Sequence, residues 1–371
     1  MYSKIKIMIK QQRVGELFCG PGGLGYAAVK NANCKHVWAI DNDADSCKTY
    51  AFNVCDYFGM GDKLPKSILA KDVAKVNFEE FKPIDGLLFG FPCNDFSLVG
   101  EKKGFKGKYG GLYKYGVKCL EVHQPDWFLA ENVSGINNKK DNSAFVKIIE
   151  ELENAGKNGY EVNVHKYKFE EYGVPQRRHR YIIVGFRKDL KLKFKPPIET
   201  HTKKYISAKD ALKNYPKYVK RKDAKHIEAT KHSETVIKRL QATKPGENAW
   251  NANIPKEYQL LGVKGAKLSQ IYKRLDGDKP AYTITGSGGG GTHVYHWNED
   301  RALTNRERAL LQTFPMSYQF YGNKESVRKQ IGMAVPIKGA TKIIRAIIKT
   351  LEKKRYNYSK KITYLQNREL F

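Results

Sequence analysis

Long apolar runs are missing from this 371-residue sequence. None approaches the ~18 consecutive apolar residues of a membrane-spanning helix. The opening stretch Met1–Gln12, with its KIKIMIK alternation, lacks the apolar core of a secretory leader. Cysteine is sparse, at positions 19, 34, 47, 55, 93 and 119, with no Cys-x-x-Cys pair and no matching histidine cluster. That pattern argues against a zinc site and against a disulfide framework, and fits a reduced, intracellular chain. Acidic residues are also few, 38 against 67 lysines and arginines, for a formal charge of +29. What is present includes 41% hydrophobic and 12% aromatic residues. This is enough for a sizeable core, which excludes a disordered polybasic tail and suits one large domain or two moderate ones.

A charge of +29 points to a polyanionic partner, most simply nucleic acid. Only 15 of the basic residues are arginine, and lysine excess can be compositional drift. The distribution argues otherwise. Residues 191–280 carry 22 basic and 9 acidic side chains, and the last 31 residues carry 9 and 2. The excess is therefore concentrated in a middle segment and a tail, as a binding surface requires.

From about Val14 to Arg187, six apolar runs alternate with helical or loop stretches: VGELF (14–18), HVWAID (36–41), DGLLFG (85–90), DWFLAEN (126–132), YEVNVHKY (160–167) and RYIIVGF (180–186). Between some of them, as at Asp45–Phe52 and Ser143–Ala155, apolar residues recur at three- and four-residue steps. The pattern predicts an α/β fold with a parallel sheet covered on both faces. From about Asp189 to Asp278 no period stands out. A glycine-rich stretch, Gly286–Gly291, follows, then a helical pattern at Thr304–Gln312 and a closing helix at about Lys338–Lys353.

Gly20, Gly22 and Gly25 satisfy G-x-G-x-x-G after the first strand, and Asp41 ends the second. Glycines permit a tight turn and close backbone approach, and an acid at that place can accept ribose hydroxyls. Taken alone, this fits NAD, FAD or S-adenosylmethionine, or merely a tight turn. Beyond the DGLLFG strand comes Phe91-Pro92-Cys93-Asn94, and Glu131 ends the neighbouring strand. A cysteine at a strand's carboxyl end is placed to act as nucleophile, with a carboxyl beside it to handle a proton.

The ordered set LFCGPGG, GFPCNDFS, ENV, Gln176-Arg177-Arg178-His179-Arg180, RALTNRERALLQTFP (301–315) and QIGMAVP (330–336) resembles the DNA cytosine-C5 methyltransferases. The resemblance spans both ends of the chain and leaves mainly 190–280 unmatched. It implies a class I methyltransferase fold: a doubly wound, mostly parallel sheet with a second, smaller target-recognition domain. The implied boundaries are 1–189 for the catalytic, S-adenosylmethionine-binding domain, 190–324 for target recognition including RALTNRE, and 325–371 for a segment returning to the catalytic domain.

The resemblance also assigns roles. Cys93 would add to C6 of a flipped-out cytosine, Glu131 would bond N3 and the exocyclic amine, and Arg178 and Arg180 would hold the base oxygen and the active-site loop. Phe18, Gly20, Gly22, Gly23, Asp41, Asn42, Asp72, Val73, Pro92, Leu112, Ala334 and Val335 would bind S-adenosyl-L-methionine, with S-adenosyl-L-homocysteine as product and no metal. Ser97–Tyr115 would be the loop that closes behind the base. The implied partner is duplex DNA, in a cytoplasmic, prokaryotic setting, with a cognate restriction endonuclease for the same site and a monomeric state. Three departures stand out: Met333 where the family has Asn, Asn94 where Gln is usual, and Pro21 in the glycine loop. Losing the amide at 333 removes a hydrogen bond worth ~0.5–1.5 kcal/mol unless backbone at Ala334 and Val335 replaces it. Methylation of tRNA, and a non-catalytic DNA-binding relative, are the alternatives.

Overall fold

A computed structural model describes residues 10–59, 63–91, 111–133, 143–260, 269–286, 288 and 291–361. Pro92, Cys93, Asn94 and most of the expected Ser97–Tyr115 loop lie outside the described residues; at its end, Tyr113–Tyr115 already belong to a helix.

The first half of the chain alternates strand and helix. In order it forms β1 (Arg13–Leu17), α1 (Gly23–Val29), β2 (Lys35–Asp41), α2 (Ala44–Cys55), β3 (Ile68–Ala70), β4 (Gly86–Gly90), α3 (Tyr113–His123), β5 (Trp127–Val133), α4 (Ser143–Glu153), β6 (Tyr160–Lys168), the two-residue β7 (Gln176–Arg177) and β8 (His179–Arg187). Seven strands make one sheet in the order β3-β2-β1-β4-β5-β8-β6. The pairs among β3, β2, β1, β4 and β5 are parallel. β8 runs antiparallel to both β5 and β6. The RYIIVGF run thus departs from the parallel expectation, for a physical reason. Parallel neighbours need a crossover of about a dozen residues or more, usually helical. The link from β6 to β8 contains no α-helix, so β8 folds back beside β6 and fills the place left between it and β5.

Both sheet faces are covered, which explains the near-continuous apolar runs. Leu87 and Phe89 of β4, with Phe128 and Ala130 of β5, enter the core on one face, under α3 and α4. Leu88 and Leu129 enter the core on the other, with Ala27 and Ala28 of α1. Strand side chains alternate between faces, so every position is buried.

The second half is built differently. Its elements are α5 (Ala208–Leu212), α6 (Tyr215–Val219), α7 (Glu234–Ala242), β9 (Ala281–Tyr282), α8 (Asn305–Leu311), α9 (Lys324–Met333) and α10 (Ile337–Leu351). Leu240, Ala249, Ile254, Tyr272, Tyr295 and Ala302 form a small separate core. Beside it, buried Arg274 donates to the carbonyls of Leu240, His296 and Glu299 and to Asp300. Charge-assisted hydrogen bonds here take part of the task of an apolar period, hence the featureless sequence. RALTNRE proves to be a helix start. Thr304 accepts from the Glu307 amide at 3.2 Å while Glu307 accepts from the Thr304 amide at 2.7 Å, and Arg301 grips the same carboxylate with two bonds of 2.8 Å. α10 returns to the sheet, burying Ile343, Ile344 and Ile347 in the core that holds α1.

Candidate active site

The order of the sheet reverses beside β1, so the carboxyl ends of β1 and β4 open a crevice at the topological switch point. After β1, Phe18, Gly20 and Gly22 adopt positive φ before α1 begins. Asp41 fastens this loop: its carboxylate accepts the Gly20 amide at 2.8 Å and the Asp43 amide at 2.9 Å. A carboxylate has about four acceptor sites, so Asp41 keeps capacity for a ligand.

The crevice encloses about 290 Å³. Phe18, Gly20, Gly23, Asp41, Asn42, Asp72, Val73, Leu112, Ala334 and Val335 all line it. Asp72 also caps the short turn after β3, accepting from the Ala74 amide at 3.0 Å. Gly22 is not among the lining residues. It stands at the start of α1 with φ of 95°, and a Cβ there would lie 2.8 Å from Val54 and 3.0 Å from Tyr50. Gly23 explains how the far end of the chain reaches the cavity, since a Cβ on it would lie 2.5 Å from the Val335 carbonyl oxygen. Met333 lines the cavity at the end of α9 with 57% of its surface exposed.

Glu131 reaches the same cavity from β5. It pairs in register with Gly90, which has no side chain to obstruct it. Arg180 Nε stands 2.8 Å from Glu131 Oε1, and both side chains are largely buried. Burial disfavours the Arg180 charge, and Glu131 supports it. Arg178 lies outside the cavity lining, within reach of the Arg180 and Glu131 charges. Its buried guanidinium, pushed down chiefly by desolvation, donates through Nη1 to the carbonyls of Ile284 at 3.3 Å and Gly332 at 3.1 Å. These two bonds tie two backbone segments together. Among the described residues, no group of three His, Cys, Asp or Glu could hold a metal, and no helix is long and apolar enough to cross a membrane.

The C-5 cytosine-specific DNA methylase family model matches residues 12–349. The chain belongs to this family. It is 50% identical over 359 residues to the Type II methyltransferase M.BbvI of Brevibacillus brevis, covering 93% of this chain and 92% of that protein. It is 35% identical to the Type II methyltransferase M.NgoFVII of Neisseria gonorrhoeae, with 93% and 89% covered. Among solved structures, it matches a DNA modification methyltransferase encoded within an Escherichia coli prophage. That match has a TM-score of 0.68 and 23% identity, covering 92% of this chain and all of the other.

Several residues around the methylase cavity are not conspicuous in the sequence. Lys71, Lys329 and Glu16 line it. Lys329 Nζ lies 3.6 Å from Asp43 across the mouth. Glu16 sits within the VGELF run, where apolar neighbours hide it. Burial pushes its carboxyl up to about 8, against the opposing hydrogen bond that Tyr50 donates at 3.0 Å. The native chain thus keeps a proton that the unfolded chain releases near the ordinary value of 4.5. The contribution of Glu16 to stability is fully present below that value and is lost as pH rises through about 8. Each unit is worth about 1.4 kcal/mol, so the loss is at most on the order of 5 kcal/mol. The stability advantage of Glu16→Gln over the unaltered chain should therefore widen from pH 5 to pH 8.5 in thermal unfolding. A constant difference would show that Glu16 is ionised throughout.

Proposed function

We propose that this methylase transfers the methyl group of S-adenosyl-L-methionine to C5 of a cytosine in a specific duplex DNA sequence, as the modifying partner of a restriction endonuclease. The observation that carries this reading is the meeting of two halves in one crevice. A cofactor wall of Phe18, Asp41, Asn42 and Val73 faces the buried Glu131–Arg180 pair. Cys93 follows three residues after the end of β4.

The donor set suits the cofactor. Apolar Phe18, Leu24, Ile40, Val73 and Leu112 can take a purine and a thioether-like chain, and the spare acceptor sites of Asp41 can take a ribose diol. Asp41, Asp43 and Asp72 outnumber Lys71 and Lys329 around the cavity, as a ligand with ammonium and sulfonium charges requires. When bound, the cofactor supplies an electrophilic methyl group. Cytosine C5 is too weak a nucleophile to take it unaided. The Cys93 thiolate would add to C6, and Glu131, held in place by Arg180, would bond N3 and the exocyclic amine as charge develops. After transfer, loss of the C5 proton would expel the thiol.

Duplex DNA would be engaged through the basic half. Arg177, Lys204, Lys209, Lys213 and Lys279 line an open groove beside β7, against Asp210 and Asp278. Each phosphate neutralised contributes about 0.9 to the slope of log affinity against log salt. Neutralising Lys204, Lys209 and Lys213 together should flatten that slope by about 2–3 and weaken binding to all sequences alike. An unchanged slope in titrations across salt would remove this groove from the DNA path.

The reading is tested by bisulfite sequencing of DNA from cells expressing the chain, which reports activity and target together. Unmodified DNA, with purified protein also inactive on duplex supplied with S-adenosylmethionine, would overturn it. The prokaryotic cytoplasmic setting and monomeric state belong to the same proposal.

A further inference from the structure

The glycine-rich stretch and the end of α9 are in direct backbone contact. A Cβ on Gly332 would fall 1.9 Å from the Gly286 amide nitrogen and 2.2 Å from the Thr285 carbonyl carbon. A Cβ on Gly286 would lie 3.0 Å from Lys329 Cα. Two buried side-chain ties hold the same two segments together. Arg178 donates to the carbonyls of both Ile284 and Gly332. Gln176 accepts from the Ile284 amide at 2.9 Å and donates at 3.1 Å to Gln312, which donates in turn to the Ile331 carbonyl at 2.9 Å. Gln176 and Gln312 are fully buried. At the other end of this contact, Lys329, Met333 and Ala334 line the cofactor cavity.

We infer that this junction couples engagement of DNA to the cofactor cavity, with Arg178 as its positioning residue. The inference rests on the proposed cofactor and DNA assignments. Residues 284–286 extend from the basic half, so a shift there on DNA binding must be passed to α9. Two backbones in contact leave no slack, and buried hydrogen bonds resist being pulled apart. Coupling of this kind is reciprocal, with each ligand tightening the other by the same factor. Arg178 does this from outside the cavity lining: its charge, costly to bury, is placed where two carbonyls from different segments need one donor.

The test measures S-adenosylhomocysteine affinity by calorimetry, with and without a duplex carrying the mapped target. The unaltered chain should bind it about 5- to 150-fold more tightly in the presence of DNA. Gly286→Ala, which displaces Lys329 yet lies outside the cavity lining, should bring this ratio towards one. Arg178→Met should do the same, and thermal unfolding reports whether each variant is folded. A merely structural role for Arg178 would lower stability and leave the ratio intact. If the unaltered chain binds S-adenosylhomocysteine but shows no coupling, or if folded Gly286→Ala keeps the full ratio, the inference is overturned. No binding of S-adenosylhomocysteine under any condition would overturn the cofactor assignment, and the inference with it.

Discussion

Cys93→Ser is expected to lower methyl transfer by at least ~10³-fold, about 4 kcal/mol of barrier. A thiol near neutral pH has an accessible thiolate, whereas a serine hydroxyl has none without a strong base beside it. Nothing else in the proposed sequence of steps can substitute, because C5 becomes nucleophilic only once C6 carries the added group. DNA binding should survive, since the change leaves every lysine and arginine in place and exchanges one small side chain for another. Single-turnover transfer of labelled methyl groups measures the first effect and gel retardation the second. A covalent adduct should form between the unaltered chain and DNA carrying 5-fluorocytosine when S-adenosylmethionine is present, and should be missing for the serine variant. Turnover retained in Cys93→Ser would show that the nucleophile has been misassigned.

Glu131→Gln should cost roughly 10²–10³ in kcat, the usual size for removing one preorganised group that meets developing charge. A second effect comes with it. Arg180 Nε stands 2.8 Å from Glu131 in a largely buried pair. Removing one charge of such a pair typically costs about 3–5 kcal/mol, because the other is left without its partner. The two effects can be separated by a cycle. The double variant Glu131→Gln with Arg180→Met should regain much of the stability lost in Glu131→Gln alone, while methyl transfer stays at its low level. Recovery of both together would mean that the glutamate acts on activity only through folding. Full activity in folded Glu131→Gln would remove it from the chemistry altogether.

Much of the catalytic half is legible residue by residue. The runs at Leu87–Phe89 and Phe128–Ala130 read as strands because alternate side chains are buried on opposite faces, so no polar position interrupts them. Asp41 and the glycine loop are legible because an acid ending one strand and glycines following another are local features that a fixed spacing in the sequence records. Glu16 is not legible, since a single carboxyl inside an apolar strand gives no spacing signal. α9 escapes for a related reason: its buried face includes Gln330 and Gly332 beside Val327 and Ile331, so no apolar stripe appears. The region from 190 to 280 resists reading because much of its order comes from contacts such as those of Arg274, which link residues far apart in sequence.

The chain's amino acids, taken alone, determined the family, the glycine loop with its acid, the cysteine and glutamate placed at strand ends, and the basic excess of the second half. These are local matters of residue type, spacing and charge. Only the tertiary structure decided that β8 runs antiparallel and that Gly22 turns the chain without lining the cavity. It alone decided that Arg178 ties Ile284 to Gly332. The physical reason is common to all of these. Each depends on which backbone groups and side chains from distant parts of the chain are brought into contact, and no spacing within one segment records that.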